Sequence, residues 1–117
     1  LNPEIPEHLN RLIRLYSQAQ IIIGYLDSDA LYDAGALYAQ RKKAYAEAIQ
    51  RATGTVAEKE AQAELEVHEL RIAEAAAKAE SRKWNNLFNS YDNLIIALRR
   101  DERTLFEEYQ KANDLND

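Results

Sequence analysis

Apolar residues recur along this chain at helical spacing almost from its start. Leu9, Leu12, Ile13, Tyr16, Ala19, Ile23 and Leu26 stand three or four residues apart, which puts them on one face of an amphipathic helix. At about 100° per residue the stripe continues through Leu31, Ala34, Tyr38, Tyr45, Ile49 and Ala52. The pattern predicts a first helical arm over roughly residues 7–52, beginning at Pro6, whose missing N–H costs nothing in a first turn. Asp27-Ser28-Asp29 offers capping side chains, so a kink at 24–29 is the alternative.

The second arm keeps a stricter period. Val56, Ala63, Leu70, Ala77, Trp84, Tyr91, Leu98, Leu105 and Ala112 fall on every seventh residue, the d positions of a heptad. The a positions are Glu60, Val67, Glu74, Ser81, Phe88, Ile95, Glu102 and Tyr109. This predicts one helix over about 55–112, ~90 Å long at ~1.5 Å per residue, with a seam suited to left-handed packing.

Thr53-Gly54-Thr55 lies between the arms. Glycine just past the last apolar position suits a left-handed C-cap. Thr55 followed by Glu58 has capping-box spacing. A phosphate-binding loop would need a second glycine and a Lys-Ser/Thr pair, and both are missing. The fold class expected is therefore all-α: one domain, a long antiparallel helical hairpin turning at Thr53-Gly54-Thr55. Folding back there pairs Tyr38 with Leu70, Leu31 with Ala77, Gly24 with Trp84, Tyr16 with Tyr91 and Leu9 with Leu98. In this register Gly24 makes room for the indole.

Two helices leave Leu15, Ile22, Leu87, Leu94 and Ile96 off the seam, which predicts self-association into a helical bundle through those side chains. Composition agrees with the helical reading. Only three of the 117 residues are glycine and two are proline. The chain has no cysteine, which excludes disulfides, thiolate metal sites and a cysteine nucleophile and suits a reducing compartment. No apolar run approaches a membrane span, and no basic flank with an apolar core marks a secretory signal. The expectation is a soluble, cytoplasmic protein with no membrane partner.

The net charge of −5 speaks against a protein that coats nucleic acid. Local basic clusters nevertheless occur at Arg41, Lys42 and Lys43, at Arg82 and Lys83, and at Arg99 and Arg100. "SRKWNNLFNSYDNL" interleaves Arg82 and Lys83 with Trp84, Phe88 and Tyr91, a mixture able to hold phosphates and stack on bases. The aromatics are also seam positions, and that role accounts for them more simply. For metal, the Glu-x-x-His pairs of di-iron bundles are absent, and Glu64 with His68 reads as a solvated pair. Glu60, Glu74 and Glu102 at a positions read as register-setting or snorkelling carboxylates. No serine has a glycine elbow around it. The expectation is a non-enzyme without a cofactor.

"GYLDSDA" in the first arm, "AYAEAIQRATGTVAEKEAQAE" around the turn and "LIIALRRDERTLFEEYQ" near the end give a layout that resembles small all-helical proteins of bacteriophage and prophage early regions. That resemblance implies no catalytic residues. It implies a phage-encoded binding protein acting in DNA transactions or on a host protein. Together these readings predict an interaction protein binding itself and another macromolecule. The alternative is a nucleic-acid-binding accessory factor using the seven basic residues of the three clusters.

Overall fold

A computed structural model describes residues 1–116, with side chains for 1–115. Among the described residues there are three α-helices and no strand: α1 (Pro6–Arg51), α2 (Val56–Glu66) and α3 (His68–Asn116). Residues 24–29 are helical. The chain divides into two compact units. One combines Leu1–Tyr25 with Asn85–Asp117, and the other is Leu26–Trp84.

In the unit Leu26–Trp84 the direction of the chain reverses at the Thr-Gly-Thr stretch. Gly54 has φ +112°, a region that L side chains avoid. The Thr55 hydroxyl accepts from the Glu58 N–H at 3.2 Å, and the Glu58 carboxylate accepts from the Thr55 N–H at 3.3 Å. Gln62 Nε2 donates to the Thr53 carbonyl at 2.9 Å. The end of α1 is closed by the Ala52 N–H on the Ala48 carbonyl at 2.9 Å. Groups that would be orphaned at two helix ends thus find partners within the turn.

The single helix expected over about 55–112 is two helices, joined at Val67. Val67 has ψ 6°, about 50° from the helical value. Its N–H still reaches the Ala63 carbonyl at 3.1 Å, and its carbonyl accepts from Arg71 at 2.9 Å. Neither proline nor glycine marks the joint. Val67 is fully buried there, so packing rather than solvent holds the distortion in place.

Burial follows the heptad in both arms. From His68 to Leu105 the buried and half-buried residues are the a and d positions, with Ala73 in addition. In α1 the a and d positions are buried or half-buried, Leu9, Tyr16, Ile23, Ala30, Leu37 and Ala44 at d and Ile13, Gln20, Asp27, Ala34, Arg41 and Ala48 at a, and His8, Leu12, Ser17, Ala19, Gly24, Tyr45 and Ile49 are half-buried beside them. The stripe expected at 100° per residue departs from this seam at two places: Leu31 and Tyr38 are 64% and 46% exposed and Ala30 is buried, whereas Ala34 is buried and Tyr45, Ile49 and Ala52 are half-buried as expected. A seam that stays on its partner repeats every 3.5 residues, so the seventh residue after Ile23 is the inward one, whatever its hydrophobicity.

The two arms pair antiparallel within each unit. In the unit of the termini, Leu9, Ile13, Ile95 and Leu98 form a buried cluster. The rings of Tyr16 and Tyr91 lie 5.6 Å apart, and Gln20 bonds Asp92 at 3.2 Å. In the other unit Ser81 donates to Asp27 at 2.7 Å, and Arg41 meets Glu74. The expected register therefore shifts in places. Arg41 faces Glu74, one heptad beyond the Val67 that a symmetric fold about Gly54 would put there. Gly24 faces Phe88, not the expected Trp84; a Cβ added at Gly24 would stand 3.6 Å from the Phe88 ring.

Candidate functional site

Leu15, Ile22, Leu87 and Leu94 gather on one side of the helix pair in the unit of the termini, against Ile21 and Ile96 on the other. In the unit of the termini, a groove lined by Asn10, Ile13, Arg99, Glu102, Arg103 and Phe106 sets the e positions of α1 beside the e positions of α3. The g positions consequently share the opposite side. Leu87 and Leu94 are g positions of α3, and Leu15 and Ile22 are c positions of α1, next to g-position Leu12 and Ala19. Leu15 and Ile22 are more than half exposed, and Leu87 and Leu94 more than a third. Ile96, 46% exposed, is a b position and belongs to the other side. Four of the five candidate self-association residues are thus placed on one flank and the fifth is not.

The seven basic candidates are not brought together. Arg41 is taken into the seam, where its Nε bonds Glu74 and its side chain is 13% exposed. Lys42 and Arg82 occupy b positions on one flank of their unit, and Lys43 and Lys83 occupy c positions on the other. Lys42 Nζ lies over the Tyr38 ring at 5.5 Å, and Lys83 Nζ over the Trp84 ring at 4.9 Å. Arg99 and Arg100 are exposed in the other unit. Tyr38 is exposed, whereas Trp84, Phe88 and Tyr91 are half-buried. Tyr91 packs on Tyr16, Phe88 closes over Gly24, and the Trp84 indole donates to Glu80 at 3.0 Å.

Of the three a-position carboxylates, Glu60 is exposed, Glu102 is half-buried and Glu74 is buried. Glu74 accepts from Arg41 and, at 3.1 Å, from Lys78. The Arg41 hydrogen bond, reinforced by Lys78 and opposed by desolvation, holds its carboxyl down at about 2. The same hydrogen bond raises the Arg41 guanidinium above its ordinary value. This carboxylate stays ionised and engaged, so it has no proton to offer as a general acid. Glu64 is bonded through both oxygens to Arg71 at 3.0 Å. Among the described residues no group of three or more His, Cys, Asp or Glu is arranged to hold a metal ion. The Ser17 and Ser90 hydroxyls donate to helix carbonyls one turn back, and Ser81 donates to Asp27.

Sequence reasoning missed two features. One is an open apolar groove of about 640 Å³ lined by Pro6, Leu9, Leu105, Phe106 and Tyr109, with Glu7, Asn10, Arg11 and Glu102 around it. The other is a smaller groove of about 230 Å³ lined by Leu26, Asp29, Ala30, Asp33, Ala77, Glu80 and Trp84. The strict heptad carried through α1 would have placed Leu26 and Asp33 at g, on the same flank as Glu80. Among the described residues no helix is long and apolar enough to cross a membrane. No protein-family model matches the chain, and no curated protein and no solved structure matches it either.

Proposed function

We propose that this chain is a non-catalytic interaction protein, a long antiparallel helical hairpin that associates with further copies of itself and offers its remaining surface to another macromolecule. The observation that carries this reading is the shared flank of Leu15, Ile22, Leu87 and Leu94, exposed by 53%, 61%, 37% and 39%. Covering each is worth ~1 kcal/mol by the area left in water, and a helix face of this kind is normally buried against another helix. The resemblance to phage early-region proteins supports a partner from DNA transactions or from the host. The nucleic-acid alternative is weaker, because Arg41 is occupied by Glu74 and the other cations are divided between two flanks and two units.

The chain has no native cysteine, which makes a direct test clean. Single cysteines replacing Leu15, Ile22, Leu87 or Leu94 are joined with a short bis-maleimide. Cross-linked pairs are expected from these positions and not from Asn93→Cys, an exposed f position on the same helix. Equal cross-linking at Asn93 and at the aliphatic positions would contradict the assigned face.

A further inference from the structure

Within the unit Leu26–Trp84 the two flanks of the helix pair carry opposite charge. On the e and b positions Lys42, Arg71, Lys78 and Arg82 face one carboxylate, Glu64, which Arg71 already holds at 3.0 Å. On the c and g positions Asp29, Asp33, Glu47, Glu66, Glu69 and Glu80 outnumber Lys43, Lys59 and Lys83. A surface shaped by solubility alone intersperses both signs.

Each flank also carries apolar surface. On the basic flank Leu31 and Tyr38 are exposed e positions, and Arg41 and Lys42 lie over the Tyr38 ring at 5.3 and 5.5 Å. On the acidic flank is the groove of about 230 Å³, with Ala30, Ala77 and Trp84 as its apolar lining and Asp29, Asp33 and Glu80 around them. One flank thus presents projecting apolar side chains among cations, and the other an apolar recess among carboxylates.

We infer that the basic flank of one copy docks into the acidic groove of a second copy. Leu31 and Tyr38 enter the groove, while the cations of the basic flank face the carboxylates of the acidic one. The contact joins two different surfaces, so it is heterologous: the pair retains one free basic flank and one free acidic flank, and the contact repeats into a ring or an open row. This inference rests on the self-association proposed above and adds a second interface to it. A nucleic acid on the basic flank would leave the acidic groove without a role, whereas a second copy accounts for both.

The test uses two paired charge reversals, Lys42→Glu with Arg82→Glu and Asp29→Lys with Asp33→Lys, in sedimentation velocity, with circular dichroism as the check on folding. Wild-type association is expected to weaken about tenfold or more between about 0.05 M and about 0.5 M salt. Each variant alone is expected to lose the higher species, and an equimolar mixture of the two to regain them. If a reversal unfolds the chain, Lys42→Gln with Arg82→Gln replaces it and is expected to weaken association without unfolding. Folded variants that associate like the wild type, or a mixture that regains nothing, would overturn the inference and leave the apolar-face reading standing. A monomeric wild type would overturn both. Capture of a labelled DNA duplex that is lost in the Lys42/Arg82 variant while association is unchanged would assign the basic flank to phosphates and overturn the inference as well.

Discussion

Glu74 is the only buried charged residue among those described, and it lies in a seam whose neighbouring positions are Leu70 and Ala77. Its carboxyl is held near 2 against an ordinary 4.5, so the ionised form is favoured by folding. The stabilisation it provides is complete above about 4.5 and is lost as the pH falls through that value toward about 2. Urea midpoints measured across that window should fall for the wild type and fall less for Glu74→Gln, which starts lower at neutral pH. The glycines make a second residue-scale contrast. Nothing lies within 4 Å of a Cβ built at Gly35, so Gly35→Ala should stabilise by ~0.5–1 kcal/mol through helix propensity. Gly54→Ala should destabilise by ~1–2 kcal/mol, because φ is +112° and the new Cβ would collide with Glu58. Denaturation at fixed protein concentration compares the two variants directly.

At the scale of elements, the turn was legible because its chemistry is local: Gly54, Thr55 and Glu58 carry their roles in their spacing. The heptad of the second arm was legible because large residues mark it. Beyond Ile23 the first arm was read correctly at Ala34, Tyr45, Ile49 and Ala52 and wrongly at Leu31 and Tyr38. The seam there also takes Asp27, Ala30, Arg41 and Ala48, while Leu31 and Tyr38 look outward, so at those two positions hydrophobicity points to the wrong face. Only the seven-residue step itself carried the signal. The joint at Val67 has no counterpart in composition, since it depends on packing in three dimensions. A mutational pair tests the revised seam. Ala30→Leu should overpack it at a cost of ~1–3 kcal/mol, whereas Leu31→Gln should change stability by no more than ~0.5 kcal/mol. The reverse ranking would restore the stripe drawn at 100° per residue. Thr55→Ala should cost ~1 kcal/mol through loss of the capping box.

At the scale of the molecule, four of the five apolar candidates share one flank, and their place off the seam was readable because the second arm's heptad was right and Leu15 and Ile22 precede the point where the first arm's stripe slips. Ile96 was misgrouped, since being off the seam does not say on which side. The basic clusters looked like one surface in sequence because neighbours along a helix seem close, yet Lys42 and Lys43 point to opposite flanks and Arg41 points inward. Self-association through the flank of Leu15, Ile22, Leu87 and Leu94 is the central claim, and sedimentation equilibrium tests it most directly. The wild type at micromolar concentration should give a mass that is a multiple of 13.4 kDa, and Leu15→Lys combined with Leu94→Lys should shift the equilibrium toward 13.4 kDa while keeping its helicity. A wild-type mass of 13.4 kDa over the whole range, with no binding of an apolar dye, would contradict it.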